Sequence, residues 1–141
     1  MTTFEATTAR LAIMETLSRY AWSYDTRDLA LMATTFSADG CFHVQLAGSP
    51  GWGPFVGRQA IIDWLGDVMQ TQTDQRRHCL TNLVFLTLTP TAATVASYLT
   101  LTAAEHGAVA IKCTGTYRDE MINEDGEWRI QRKTLVLDCA F

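Results

Sequence analysis

Between Thr8 and Tyr24 the apolar residues Leu11, Ile13, Met14, Leu17, Tyr20, Ala21 and Tyr24 return every three or four positions. Arg10, Glu15, Ser18 and Arg19 lie between them, and this spacing predicts an amphipathic helix. The segment "DTRD" interrupts the pattern, and Asp28 is placed to cap a second short helix over Leu29 to Phe36. "SADG" then reads as a turn and "CFHVQL" as a strand with Phe42, Val44 and Leu46 on one face. The run from Ala47 to Gly57 holds four of the nine glycines and two of the three prolines, which predicts a loop with at most a short edge strand near Phe55 and Val56. A third helix follows over Arg58 to Thr71, with Ile61, Trp64, Leu65, Val68 and Met69 on one face.

Beyond that helix the pattern changes period. "HCLTNLVFLTLT", "TVASYLTLTAA", "AVAIKCTGTYRDEMINE" and "EWRIQRKTLVLD" are rich in Thr, Val, Leu and Tyr, and "EDGE" supplies the Asp-Gly of a tight hairpin. The predicted fold class is α+β: three N-terminal helices packed in a strongly curved, mostly antiparallel sheet. Three helices do not cover both faces of so long a sheet, so it is expected to curl around them as a cone enclosing a pocket.

The bulk properties narrow the picture further. With 141 residues, one domain over 1–141 is expected. Hydrophobic residues at 48% against 18% charged allow a packed core with apolar surface left for a pocket or partner, and a net charge of -4 argues against nucleic acid. Strands apolar on both faces predict a homo-oligomer, dimer or trimer. The N-terminus has no signal-peptide pattern and no run is long enough for a membrane span, so no membrane association and a cytoplasmic address are expected. Cys41, Cys79, Cys113 and Cys139 lie far apart, and His43 and His106 are placed away from His78, so no metal site is predicted.

His78 stands between the arginines of "RRHCLTN" and an apolar strand, where alternation groups it with Leu80, Asn82 and Val84. One reading is a core histidine satisfied by the backbone. The other depends on Asp25, at the end of the first helix: a carboxylate on one imidazole nitrogen fixes the tautomer and leaves the other nitrogen to take a proton. Asp25 also has a purely structural reading, as the terminator of helix one or the cap of helix two.

The run "YAWSYDTRD … FSADGCFHV … VGRQAIIDWL … RRHCLTN … GTYRDEMINEDGEWRI" resembles the SnoaL-like branch of the nuclear transport factor 2-like superfamily, over about Arg10 to Asp138. It is similar in layout to scytalone dehydratase, bile-acid dehydratase and lindane dehydrochlorinase. The resemblance implies that His78 and Asp25 form a proton-abstracting dyad. It also implies a cation on the last strand, Lys133 or its neighbour Arg132. Alternation favours Lys133, which shares a face with Leu135 and Leu137, whereas Arg132 goes with Trp128 and Ile130. Tyr117 matches an aromatic pocket position. Tyr20 and Tyr24 lie on the inward helix stripe, and Tyr24 is a further candidate catalytic phenol. Phe42, Trp64, Met69, Asn82, Cys113 and Leu135 complete the expected substrate wall.

The resulting expectation is a cofactor-independent lyase or isomerase, dehydratase- or cyclase-like, acting on a small hydrophobic and even polycyclic substrate. The alternative is a non-catalytic ligand carrier or assembly module such as the small subunit of a ring-hydroxylating dioxygenase. An epoxide hydrolase, which requires carboxylate, asparagine and arginine around a water, is less clearly supplied.

Overall fold

A computed structural model describes residues 1–140. The first helix, α1 (Thr3–Asp25), begins at a capping box: Thr2 Oγ1 accepts from the Glu5 amide at 3.1 Å while the Glu5 carboxylate accepts from the Thr2 amide at 2.6 Å. It buries Ile13, Thr16, Leu17, Tyr20 and Tyr24 against the sheet. Arg27 then takes a left-handed turn at φ 58. An arginine tolerates this strain here because its guanidinium ties down the chain after the third helix, donating to the Gln72 carbonyl at 2.9 Å and the Asp74 carbonyl at 3.1 Å.

Asp28 caps α2 (Leu29–Ala33) by accepting from the Leu31 amide at 2.9 Å. This helix is shorter than the predicted Leu29 to Phe36. Phe36 opens β1 (Phe36–Leu46), and "SADG" belongs to that strand rather than to a turn. The cause is tertiary: the Ile130 amide donates to the Thr35 carbonyl at 2.8 Å, drawing the chain into the sheet before the helix can continue. The glycine-rich stretch is likewise more ordered than expected, forming the exposed edge strand β2 (Ser49–Val56) with a cis peptide at Gly53–Pro54. Gly51 permits this pairing, because a Cβ there would meet the Val44 carbonyl oxygen at 1.8 Å.

After α3 (Arg58–Gln70) come four long strands, β3 (Gln75–Leu88), β4 (Ala92–Glu105), β5 (Ala108–Glu124) and β6 (Glu127–Leu137). The six strands form one curled sheet in the order β2-β1-β6-β5-β4-β3, antiparallel except for the β1–β6 pair. The "EDGE" hairpin closes β5–β6 with Asp125 and Gly126 both left-handed, at φ 54 and 93. The helices fill the inner face, where Ile13, Phe36, Ile61, Val95 and Ile130 are fully buried. Among the described residues no helix is long and apolar enough to cross a membrane.

Candidate active site

The inner face closes around a cavity of about 440 Å³, within the ~300–1,000 Å³ typical of small-molecule sites. Its deep wall is apolar and aromatic, including Tyr20, Phe42, Trp64, Leu99 and Leu135, and its mouth carries Gln72, Asp74, Arg76, Glu105 and Lys112. Phe55 stacks on Trp64 at 4.2 Å and Trp64 meets Phe42 edge-on at 5.5 Å, which holds the flat indole in the wall.

Asp25, at the end of α1, meets His78, on β3, and His78 lines this cavity. The Asp25 carboxylate accepts from the His78 backbone amide through Oδ2 at 2.9 Å, and its Oδ1 lies 2.6 Å from the ring Nδ1. Their side chains are only 9% and 7% exposed. A carboxylate accepts only, so Nδ1 is the donor of this bond, and in a neutral ring Nε2 is left as the acceptor. The Tyr24 ring packs on the imidazole with centroids 4.3 Å apart. Its hydroxyl accepts from Gln72 Nε2 at 2.6 Å, and the Arg76 guanidinium lies beside the same oxygen. Burial pushes the Tyr24 phenol above its usual range, with Gln72 and Arg76 pulling it partly back. Arg76 is in turn held by Asp74, Nε to Oδ1 at 3.0 Å.

Tyr20, Tyr24, Phe42, Trp64, Cys113, Tyr117 and Leu135 all line this cavity with His78. Burial pushes the Cys113 thiol up, as it does the Tyr20 and Tyr117 phenols. Four expected positions do not line it: Asp25, which is bonded to His78, and Asn82, Met69 and Lys133. Asn82 is exposed: it is left-handed at φ 56, and the pairing of β3 slips between Thr81 and Val84, so beyond this bulge Leu83 and Phe85 turn inward in place of Val84. Met69 is buried in the core but outside the cavity, where α3 presents Trp64, Leu65 and Val68 instead.

Lys133 does point inward, but stops short of the cavity. Its Nζ donates to Asp119 Oδ1 at 2.9 Å, both side chains have zero exposure, and the ammonium sits 4.0 Å from the Tyr117 ring centroid and 4.3 Å from that of Tyr20. Both rings line the cavity, whereas Lys133 does not. Burial pushes Asp119 up and Lys133 down, each opposed by the other's charge. Arg132 faces out toward Glu120, at 3.5 Å. The expected grouping of Arg132 with Trp128 and Ile130 fails because Met121 pairs with Ile130 and Glu120 with Arg132, which makes Gln131 an extra residue and reverses the alternation.

The mouth was not foreseen from the sequence. Gln72, Asp74 and Arg76 stand in a polar segment whose only visible signal is the arginine pair beside His78. Their placement depends on Arg27, 45 residues before Gln72, anchoring the loop.

Comparison with known proteins places the chain in a family. No curated protein matches the chain. Among solved structures, a protein of unknown function from Mycobacterium tuberculosis has 28% identity and a TM-score of 0.79, covering 92% of this chain and 72% of that one. A protein of Novosphingobium aromaticivorans, provisionally named a scytalone dehydratase, has 22% identity and a TM-score of 0.78, covering 96% and 88%. The beta subunit of an aromatic-ring-hydroxylating dioxygenase, also a provisional name and from the same organism, has 17% identity and a TM-score of 0.79, covering 94% and 91%. The last two likenesses are of fold. The model of the SnoaL-like domain matches residues 5–134, and the chain belongs to that family, with the cystatin-like, nuclear transport factor 2-like fold.

Proposed function

We propose that the protein is a lyase or isomerase that removes a proton from carbon beside a carbonyl group, with His78 as general base and Asp25 as its partner. The observation that carries this reading is the double attachment of Asp25 to the backbone and ring of His78 at a cavity wall. It holds the imidazole against rotation and stabilises the imidazolium formed when Nε2 takes a proton. The electron pair of the broken C–H bond moves onto the carbonyl oxygen. In an elimination the enolate then expels hydroxide from the next carbon, and the imidazolium proton leaves with it as water. In an isomerisation the same proton returns to another carbon of the chain of double bonds. No cofactor is required by these steps.

The aromatic wall suits a small hydrophobic, ring-containing substrate. A bicyclic β-hydroxy ketone such as 3-hydroxy-1-tetralone is the appropriate probe, because its loss of water yields 1-naphthol with a new absorbance. The wild type is expected to accelerate that loss. A His78→Gln protein that melts normally is expected to lack the acceleration; equal rates for the two overturn the reading.

One observation favours a second reading, a non-catalytic assembly module. The outer surface of the sheet carries exposed Val84, Leu86, Tyr98, Val109 and Ile111, the last two 73% and 67% exposed. The same residues suit a homo-oligomer of the proposed enzyme.

A further inference from the structure

A cysteine stands in the row of the cavity wall that carries His78. His78 on β3 is paired with Leu101 on β4, Leu101 is paired with Cys113 on β5, and all three line the cavity. The pairing of β5 with β6 runs on past the last strand residue. Beyond Gly115 and Leu137, the Asp138 amide donates to the Thr114 carbonyl at 3.0 Å, and Thr114 Oγ1 donates to Asp138 Oδ2 at 2.6 Å. The next residues opposed in this register are Cys113 and Cys139.

An amide-to-carbonyl bond between opposed residues marks the hydrogen-bonded kind of antiparallel pair. Cys113 and Cys139 therefore fall at the other kind, whose Cα atoms stand about 4.5 Å apart. That separation lies within the roughly 4.4–6.8 Å that a disulfide spans. The two side chains also share a face: Leu137 lines the cavity, and alternation gives Cys139 the same side. Cys113 is buried there, whereas Cys139 is exposed. Burial pushes the Cys113 thiol up, with Cys139 and Asp138 adding to that against Arg76, so Cys113 is the slower of the two to ionise when Cys139 meets a reagent from solvent. Cys79 alternates with His78 onto the outer face and Cys41 is opposed by Val56 and Arg132, which leaves Cys113 and Cys139 as the opposed cysteines among the described residues.

We propose that Cys113 and Cys139 are a reversible redox pair, whose disulfide fastens the end of β6 to the cavity wall and weakens the binding of a cavity ligand. The oxidant is a small disulfide such as oxidised glutathione. The Cys139 thiolate attacks it, forms a mixed disulfide and expels one glutathione thiolate. Cys113 then loses its proton and attacks the Cys139 sulfur, expelling the second. Two cysteine thiols are oxidised, one glutathione disulfide is reduced to two thiols, and the two cysteine protons pass through solvent to the departing thiolates. The wall thereby loses the S–H of Cys113 and gains the sulfur of Cys139 beside Leu137, which takes space from the cavity. None of this requires His78 to act as a base.

The test incubates the full chain with oxidised glutathione, alkylates it without reductant and maps its peptides by mass spectrometry. The expected result is a peptide linking Cys113 to Cys139, abolished by dithiothreitol and absent from Cys139→Ser, a change at an exposed position that leaves the core intact. Recovery of Cys113 and Cys139 as free thiols or as separate glutathione adducts overturns the pair, as does a disulfide from Cys113 to another cysteine. The affinity of 1-tetralone is then measured by ligand-observed proton NMR on the same samples. It is expected to be several-fold weaker in the oxidised wild type, restored by dithiothreitol, and unchanged by oxidised glutathione in Cys139→Ser. Equal affinity in the two states of the wild type, or binding in neither, overturns the effect on the cavity. Repeating both measurements in His78→Gln separates this proposal from the catalytic one: a linked peptide and a weakened affinity there support the redox pair even if the wild type turns over no ketone.

Discussion

The Asp25 carboxylate accepts two hydrogen bonds from His78, at 2.9 Å from its backbone amide and 2.6 Å from its ring. The backbone bond fixes where the carboxylate sits, and the ring bond fixes which imidazole nitrogen carries the proton. Asp25→Asn keeps the size of the side chain but offers the ring a neutral amide that can present an N–H as easily as an oxygen. Turnover of the β-hydroxy ketone is expected to fall by about 10³–10⁴-fold, the order seen when a carboxylate partner of a catalytic histidine becomes an amide. Steady-state rates beside a melting curve check this, and a loss below tenfold in a normally folded variant contradicts it.

Lys133 and Asp119 form a fully buried pair behind Tyr20 and Tyr117, and Asp119 Oδ2 has no partner among the described residues. Removing one charge strands the other, so Lys133→Met alone is expected to cost about 3–5 kcal/mol of unfolding free energy. Lys133→Met/Asp119→Leu strands neither, and should recover most of that loss. Urea unfolding of the three proteins measures both. A single variant as stable as the wild type shows that the pair is not paired in its charged form.

Much of this was legible in the sequence where one local rule decided the outcome. The helical period placed Tyr20 and Tyr24 inward, the Asp-Gly pair gave the β5–β6 turn, and Asp28 capped α2 as expected. The local pattern misleads where distant pairing outweighs it. Phe36 continued a helical spacing but was drawn into β1 by β6, and the extra residues Asn82 and Gln131 each reversed an alternation that was read as unbroken. Lys133 turns inward with Leu135 and Leu137, as alternation predicts, but nothing in its own strand reveals that Asp119 opposes it and keeps it out of the cavity.

Alkaline stability follows from the buried phenols. Burial raises Tyr20, Tyr24 and Tyr117 above the ordinary phenol range, so in the folded chain they keep protons that the unfolded chain releases near pH ~10. Their contribution to stability is complete below that pH and declines as pH rises through it, because the unfolded state then binds fewer protons. Lys133, pushed down by burial, works in the opposite direction but is one group against three. Urea midpoints are expected to decrease from pH ~9 to ~11, with phenolate absorbance of the buried tyrosines appearing together with loss of secondary structure. A flat or rising midpoint contradicts this.

The outward row of Val84, Leu86, Tyr98, Val109 and Ile111 leaves large apolar side chains in water on a single sheet face. A dimer or trimer formed through that face is expected by light scattering at micromolar concentration, and Ile111→Lys with Val109→Lys should shift it toward monomer. A monomeric wild type contradicts the expectation.

If His78 removes a proton from carbon, hydrogen exchange reports that step without a leaving group. The measurement is deuterium incorporation from heavy water into 1-tetralone at the carbon beside its carbonyl, followed by proton NMR with wild type and with His78→Gln. Exchange is expected to be accelerated by the wild type well above the buffer rate and reduced to that rate by His78→Gln, with both proteins melting alike. Equal exchange in the two proteins, or none above buffer in either, contradicts it.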